Sequence, residues 1–298
     1  RRPPRRDEGM AITIWSGLTE GALYAIVATG FTLGLLPSGV FNFAQGALVV
    51  AGTYLAYFFF KTVGLPLVPV VVLLILSGAL MGVICELTTI RPLARRRGSH
   101  AELVTTVGMA TAIIGACGIA WGYLPLAVPF HGPTGIVKFL GIRASPVSIF
   151  LVVGSIVVVA ACSLWFRRTR AGQACLAASE NPDAARLRGI NVNKLSLGAF
   201  AVAGALAGVA ALLIGPITFA VPGLANNFAL GGFVAIAIGG QRNFFGGLAG
   251  AFVVGVVSAL AGRYIGSEYS NLAILALLVT TLTIRPSGLG GLGEVRRV

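Results

Sequence analysis

The sequence predicts an all-α polytopic membrane protein, and three observations carry that prediction. Hydrophobic residues make up 56% of the 298 positions and charged residues only 10%, with a mean hydropathy of +0.91. Soluble domains carry about 25% charged residues, so a water-soluble globular or disordered chain is excluded. The apolar residues gather into nine stretches, most of them near the ~20 residues that cross a bilayer. Stretches such as residues 68–76 and 149–161 show no alternation of apolar and polar side chains, which excludes a transmembrane β-barrel.

Taken in order, the first stretch covers residues 12–36 and contains one carboxylate, Glu20, between Gly17 and Gly21. With membrane entry near Ile12, a rise of about 1.5 Å per residue puts Glu20 roughly 12 Å into a ~30 Å core. A carboxylate there is expensive, so it is expected to be protonated, paired or turned to water. The small-residue face beside it points it into a helix contact; the alternative is a later helix start, with Glu20 among the outer headgroups.

The next three stretches cover residues 43–60, 66–87 and 103–122, and the fifth covers 146–166. The second is preceded by a break over residues 36–46 that contains Pro37, Asn42, Phe43, Ala44 and Gly46. The same residue types recur as Pro222, Asn227, Phe228, Ala229 and Gly231, at the constant offset of 185 between Pro37 and Pro222. Each copy follows a long apolar stretch and precedes one opening with Phe-Ala. Five crossings separate the copies, so they take opposite orientations, which is the pattern of an inverted repeat with interrupted helices at a central path. Two ordinary Pro-Gly turns are the alternative. Asn42, Gln45, Thr106 and Asn227 are the candidate path residues, because polar groups turned to lipid are costly and three of the four stand at the breaks.

The sixth stretch covers residues 195–217, where Gly204 and Gly208 form a GxxxG beside Ala203 and Ala207. Residues 227–240 and 246–261 make two shorter stretches, the second lined by Gly246, Gly250 and Gly255, and residues 271–284 make the ninth. Small residues let helices approach closely in lipid, so a compact bundle is expected.

One substantial polar segment, residues 167–194, interrupts the array. Within it Glu180 precedes an Asn181 cap, Pro182 at the first helical position, Asp183 in the first turn, Arg186 in the last and Gly189 at the stop. Every terminal signal agrees on a short helix. At about 1.5 Å per residue it is roughly 10 Å long, too short to cross a bilayer. Residues 171–179 suit a second short helix. Such a mixed-charge element fits docking on a soluble partner; a solvated loop is the bland reading.

Orientation follows from the cations. Arg91, Arg95, Arg96, Arg97, Arg167, Arg168, Arg170, Arg186, Arg188, Lys194, Arg242, Arg285, Arg296 and Arg297 fall on one side, and Lys61, Lys138, Arg143 and Arg263 on the other. The positive-inside rule makes the first side, with the C-terminus, cytoplasmic. Nine crossings then place the N-terminus outside, against Arg1, Arg2, Arg5 and Arg6. Either Met10 is the true start, the preferred reading, or the segment around residues 37–60 is re-entrant and eight crossings remain. Residues 1–10 are accordingly read as a basic extension and 11–298 as one transmembrane domain. No signal-peptide cleavage pattern precedes the first helix, which is therefore expected to be retained.

Cys85, Cys117, Cys162 and Cys175 lack metal spacing and read as small packing residues. His100 and His131 lie in separate loops, so neither a metal centre nor a Ser-His pair can be built. Only Lys61, Lys138 and Lys194 exist, and none stands in a P-loop, so any ATP must be used by another subunit.

Gly17-Leu18-Thr19-Glu20-Gly21-Ala22-Leu23-Tyr24-Ala25, Asn42-Phe43-Ala44-Gln45-Gly46, Arg91-Pro92-Leu93, Thr106-Val107-Gly108, Gly172-Gln173-Ala174 and the run from Asn181 to Ile190 together resemble permease subunits of branched-chain amino acid ABC importers. The resemblance extends in order over residues 12–291. It implies a type II importer bundle in a bacterial plasma (inner) membrane, with no catalytic residues, metal or cofactor in this chain. It also implies a second homologous permease, ATP-binding subunits, an extracytoplasmic solute-binding protein and no nucleic acid. The family's cytoplasmic motif falls on Glu180, Asn181, Pro182, Asp183, Arg186 and Gly189, which are assigned to coupling with the ATPase. Glu20 is assigned to the inner pathway or to the contact with the second permease. Gln45 stands where the family usually has His, and Glu20 where it is commonly uncharged, so the expected substrates are branched-chain amino acids or related small polar, amide or carboxylate solutes. An ion-coupled secondary transporter without an ATPase is the competing class, with Glu20 as its strongest intramembrane ionisable residue.

Overall fold

A computed structural model describes residues 6–92, 101–133, 135, 137–139 and 142–285. The basic residues 1–5, the Arg95 to Arg97 run, His100 and residues 286–298 lie outside them.

Each of the nine apolar stretches falls on a helix. α1 runs over Arg6–Ser38, α2 over Gln45–Tyr57 and α3 over Leu67–Cys85. α2 and α3 continue directly into π-helical turns over Phe58–Thr62 and Glu86–Ile90. α4 covers Ala101–Trp121, and a small antiparallel hairpin, β1 (Val137–Phe139) with β2 (Ile142–Ala144), precedes α5 (Pro146–Arg168). The polar segment forms α6 (Arg170–Glu180) and α7 (Pro182–Leu187). α8 (Val192–Thr218), α9 (Leu224–Gly239), α10 (Phe244–Tyr264) and α11 (Ser270–Ile284) complete the chain. Among the described residues, seven helices are long and apolar enough to cross a membrane, and α9 is a shorter apolar helix. The eighth stretch is longer than its hydropathy suggested: α10 has 21 residues, because Phe244, Phe245 and the turn through Tyr264 join it.

The helices pack as two units. One holds the chain up to Ala28, Gly132–Ala160 and the residues from Leu230 onward; the other holds Thr29–His131 and Ala161–Ala229. The same packing rule operates in each. In the second unit α8 lies along α2 and α3. A Cβ placed on Gly204 would stand 2.1 Å from the Gly78 carbonyl oxygen, and one on Gly208 2.1 Å from that of Leu74, so these helices meet backbone to backbone. In the first unit α1 meets α9 and α10: a Cβ on Gly255 would stand 2.2 Å from the Gly17 carbonyl oxygen, and Gly231 lies against the Tyr24 ring. Each long helix that precedes a break thus packs on the two helices that follow the other break.

The breaks also share their backbone form. α1 ends in Ser38 followed by Gly39 at φ +74°, and α8 ends in Thr218 followed by Phe219 at φ +61°. Ser38 and Thr218 each donate their hydroxyl to the carbonyl four residues back, Gly34 at 2.6 Å and Ile214 at 3.1 Å. These ends are 180 residues apart (Ser38 to Thr218), whereas the sequence copies are offset by 185. The mismatch has a local consequence: Asn42 lies in the first break, while Asn227 stands in the first turn of α9.

Candidate functional site

The first break is built around Asn42. Its Oδ1 accepts the Ala44 N–H at 3.2 Å and its carbonyl accepts the Gln45 N–H at 2.9 Å, so one side chain closes the turn that starts α2. Gln45 is 1% exposed and donates Nε2 to the Ala203 carbonyl of α8 at 3.1 Å, while its buried Oε1 has no hydrogen-bond partner. Gly30 of α1 leaves the room for that amide, since a Cβ there would stand 2.2 Å from Nε2. Phe31, Phe41 and Phe43 gather beside the break, with ring centroids 5.9 to 6.3 Å apart.

The two motif copies meet. A Cβ on Gly46 would stand 2.3 Å from the Ala225 carbonyl oxygen and 2.8 Å from the Ala229 nitrogen, so the starts of α2 and α9 abut directly. Asn227 is half-buried between those α9 residues. Thr106 is fully buried on α4 and donates to the Leu103 carbonyl at 3.2 Å. The structure therefore brings Asn42, Gln45 and the start of α9 together, and holds Thr106 on a separate helix. Sequence reasoning missed the contact of Gly46 with Ala225 and Ala229; the repeated Ala and Gly of the motif were its only signal.

Glu20 stands in the first unit, within the apolar span Gly9–Ser38 of α1. Its Oε1 accepts the Tyr24 hydroxyl at 2.6 Å and the Ser258 hydroxyl of α10 at 2.9 Å. Gly17 and Gly21 pack on α10 at Val256 and Phe252, so the carboxylate lies on the α1–α10 contact. Near the start of α1, Arg263 donates to the Gly9 carbonyl and to Thr13.

The polar segment is held as its caps require. Thr169 accepts the Gly172 N–H at 3.0 Å, and Asn181 Oδ1 accepts those of Asp183 and Ala184 at 3.1 and 3.0 Å. Pro182 opens α7, Arg186 pairs with Asp183 at 3.0 Å, and Gly189 takes φ +81° after the last turn. Ala178, Ala185 and Val192 form a small core with Ile190, fixing α7 against α6 and the start of α8. Glu180, Asn181, Asp183 and Arg186 stay exposed, and Leu187 is 90% exposed at the tip. Burial pushes the Cys175 thiol up to about 11, so the α6 cysteine is a neutral packing group at neutral pH. The four cysteines are all free, and among the described residues no His, Cys, Asp or Glu cluster suits a metal ion.

At the end of α3, Glu86 is 2% exposed, with Arg91 Nε 3.4 Å away and Ser196 of α8 beside it. The π-helical turn Glu86–Ile90 packs against both α4 and α8. His131 is exposed and stacked on Phe60, 4.2 Å between centroids.

Comparison with known proteins agrees with this architecture. The family described as the permease component of branched-chain amino acid transport systems matches residues 13–282. The high-affinity branched-chain amino acid transport permease BraD of Pseudomonas aeruginosa is 30% identical, covering 95% of this chain and 96% of its own. The LivH permease of Escherichia coli K12 is 26% identical, covering 96% of each chain. A probable LivH permease of Methanocaldococcus jannaschii is 29% identical, covering 96% of this chain and 94% of its own. A multi-pass helical chain with two glycine-seamed broken helices, matched over almost its full length, belongs to the family of branched-chain amino acid transport permeases.

Proposed function

We propose that this chain forms the translocation path of an ATP-driven importer for branched-chain amino acids, and that the path passes the paired breaks. The carrying observation is the abutment of the α2 and α9 starts at Gly46, Ala225 and Ala229, with Asn42, Gln45 and Asn227 on the same short stretches. A zwitterion with a branched aliphatic side chain needs a few oriented polar groups and an apolar wall. The amides supply the first, the Phe31, Phe41 and Phe43 cluster supplies the second, and two helix N-termini favour the carboxylate. Thr106 is assigned to the same route, and Glu20, on the α1–α10 contact, to the inner pathway or to the contact with the second permease.

ATP is used by separate ATP-binding subunits that receive α7, whose exposed Asp183, Arg186 and Leu187 project from a fixed base. A second homologous permease and an extracytoplasmic solute-binding protein complete the assembly in the bacterial inner membrane, with the C-terminus cytoplasmic. No cofactor resides in this chain. Cysteine placed singly at Asn42, Gln45, Thr106 and Asn227, in a background without the native cysteines, tests the path. Aqueous maleimide labelling that changes with leucine or with ATP is expected at these positions. Labelling by lipid-soluble reagents alone would remove them from the route.

A further inference from the structure

Among the described residues, Phe219 is the one non-glycine residue with positive φ. Its pair of angles, φ +61° and ψ 170°, lies outside the left-handed helical basin and in a region that is essentially confined to glycine. The matching turn after α1 uses Gly39, at φ +74°, and makes the same backbone bond: Gly39 N–H to Leu35 and Phe219 N–H to Gly215, each at 2.8 Å. One break therefore has the residue its geometry favours, and the other does not.

Strain of this kind persists only where the surroundings over-determine it. Burial of the ring is not what holds it, since Phe219 is 47% exposed. The hold comes from the chain after α4. Ala220 and Leu126 form an antiparallel bridge, Ala220 N–H to Leu126 O at 2.9 Å and Leu126 N–H to Ala220 O at 3.2 Å. Two residues on, Val128 is buried against Gly215, where a Cβ would stand 2.9 Å from its Cγ2. The single Thr218 hydroxyl proton, which reaches the Ile214 carbonyl, is shared with the Phe219 carbonyl at 3.2 Å.

We propose that Phe219 and the Leu126–Ala220 bridge form a strained latch on the α8–α9 break, released during transport so that Phe219 relaxes to negative φ and the start of α9 is re-aimed. Five residues after Ala220 the chain reaches Ala225, which lies against Gly46, so a change at the latch is delivered to the paired breaks. The function of the latch rests on the proposed path; its strain does not.

The test compares Phe219→Gly with Phe219→Ala in the assembled transporter. Glycine removes the strain and keeps the turn, whereas alanine keeps the Cβ and loses only the ring. Strain of this class corresponds to a shift of roughly 5- to 150-fold in the equilibrium between latched and released forms. Phe219→Gly is expected to raise the thermal midpoint and to slow leucine-stimulated ATP turnover by a factor in that range. Phe219→Ala is expected to keep the wild-type midpoint and turnover within about twofold. Equal behaviour of the two variants, whether both normal or both impaired, would overturn the latch, and so would loss of assembly in Phe219→Gly alone. Labelling of a cysteine at Asn227 reads the path separately: failure of leucine to alter it in the wild-type background would count against the route, while the Gly and Ala comparison still reads the strain.

Discussion

Replacing Gly204 by valine tests the α3–α8 seam most severely. A Cβ there would stand 2.1 Å from the Gly78 carbonyl oxygen and 3.0 Å from the Gly82 Cα, with ordinary contact beginning near 3.4 Å. The helices must therefore part by about 1.3 Å, and no side-chain rotation helps because the atoms met are backbone. Overpacking costs about 1 to 3 kcal/mol, and a rigid neighbour argues for the upper end. The better helix propensity of valine over glycine returns only a few tenths of a kcal/mol. A net loss of about 2 to 3 kcal/mol is expected for Gly204→Val, measured by unfolding in a denaturing-detergent titration. Gly108 on α4 is the control, because nothing lies within 4 Å of its Cβ position, and Gly108→Val should change stability by about 0.5 kcal/mol or less. Equal stability of the two variants would refute the backbone-to-backbone seam.

Other perturbations separate packing from function. Glu20→Gln keeps an acceptor for Tyr24 and Ser258 and should unfold close to wild type, whereas Glu20→Leu strands two hydroxyls at about 1 to 3 kcal/mol each; equal midpoints would show that the bonds are not held. Asn181→Ala removes the α7 cap and should cost about 1 kcal/mol locally, read as faster amide exchange over residues 182–188 with the rest unchanged. Leu187→Ser, together with the Asp183→Ala and Arg186→Ala pair, should lower substrate-stimulated ATPase activity with membrane insertion intact; unchanged coupling would remove α7 as the docking element. Because its thiol pKa is raised to about 11, Cys175 should resist maleimide at pH 7 and gain reactivity as pH rises toward that value; rapid labelling at pH 7 would contradict its burial.

The apolar stretches were legible because each helix must be continuously apolar to sit in lipid, and nothing about their neighbours was needed. The caps of α7 were equally legible, since Asn181, Pro182 and Gly189 act on backbone within a few residues. Contacts between remote segments were not. Gly46 meeting Ala225, Glu20 meeting Ser258 and Glu86 lying beside Ser196 depend on how helices cross, which residue type alone does not encode. The Pro-Asn-Phe-Ala-Gly repeat marked the right places but hid a register difference, visible only because Ser38 and Thr218 end their helices alike. Phe219 was illegible for the opposite reason: its residue type argues against the backbone angles it adopts.

The central claim is that this chain is the path of an ATP-driven importer, and reconstitution tests it most directly. The chain would be purified with its partner permease and ATP-binding subunits, placed in proteoliposomes with the solute-binding protein, and assayed for uptake of labelled leucine. Uptake that requires ATP on the side of α7, and that falls when Asn227 and Gln45 are replaced by alanine, is the expected result. Uptake by this chain alone, driven by an ion gradient and indifferent to ATP, would contradict it.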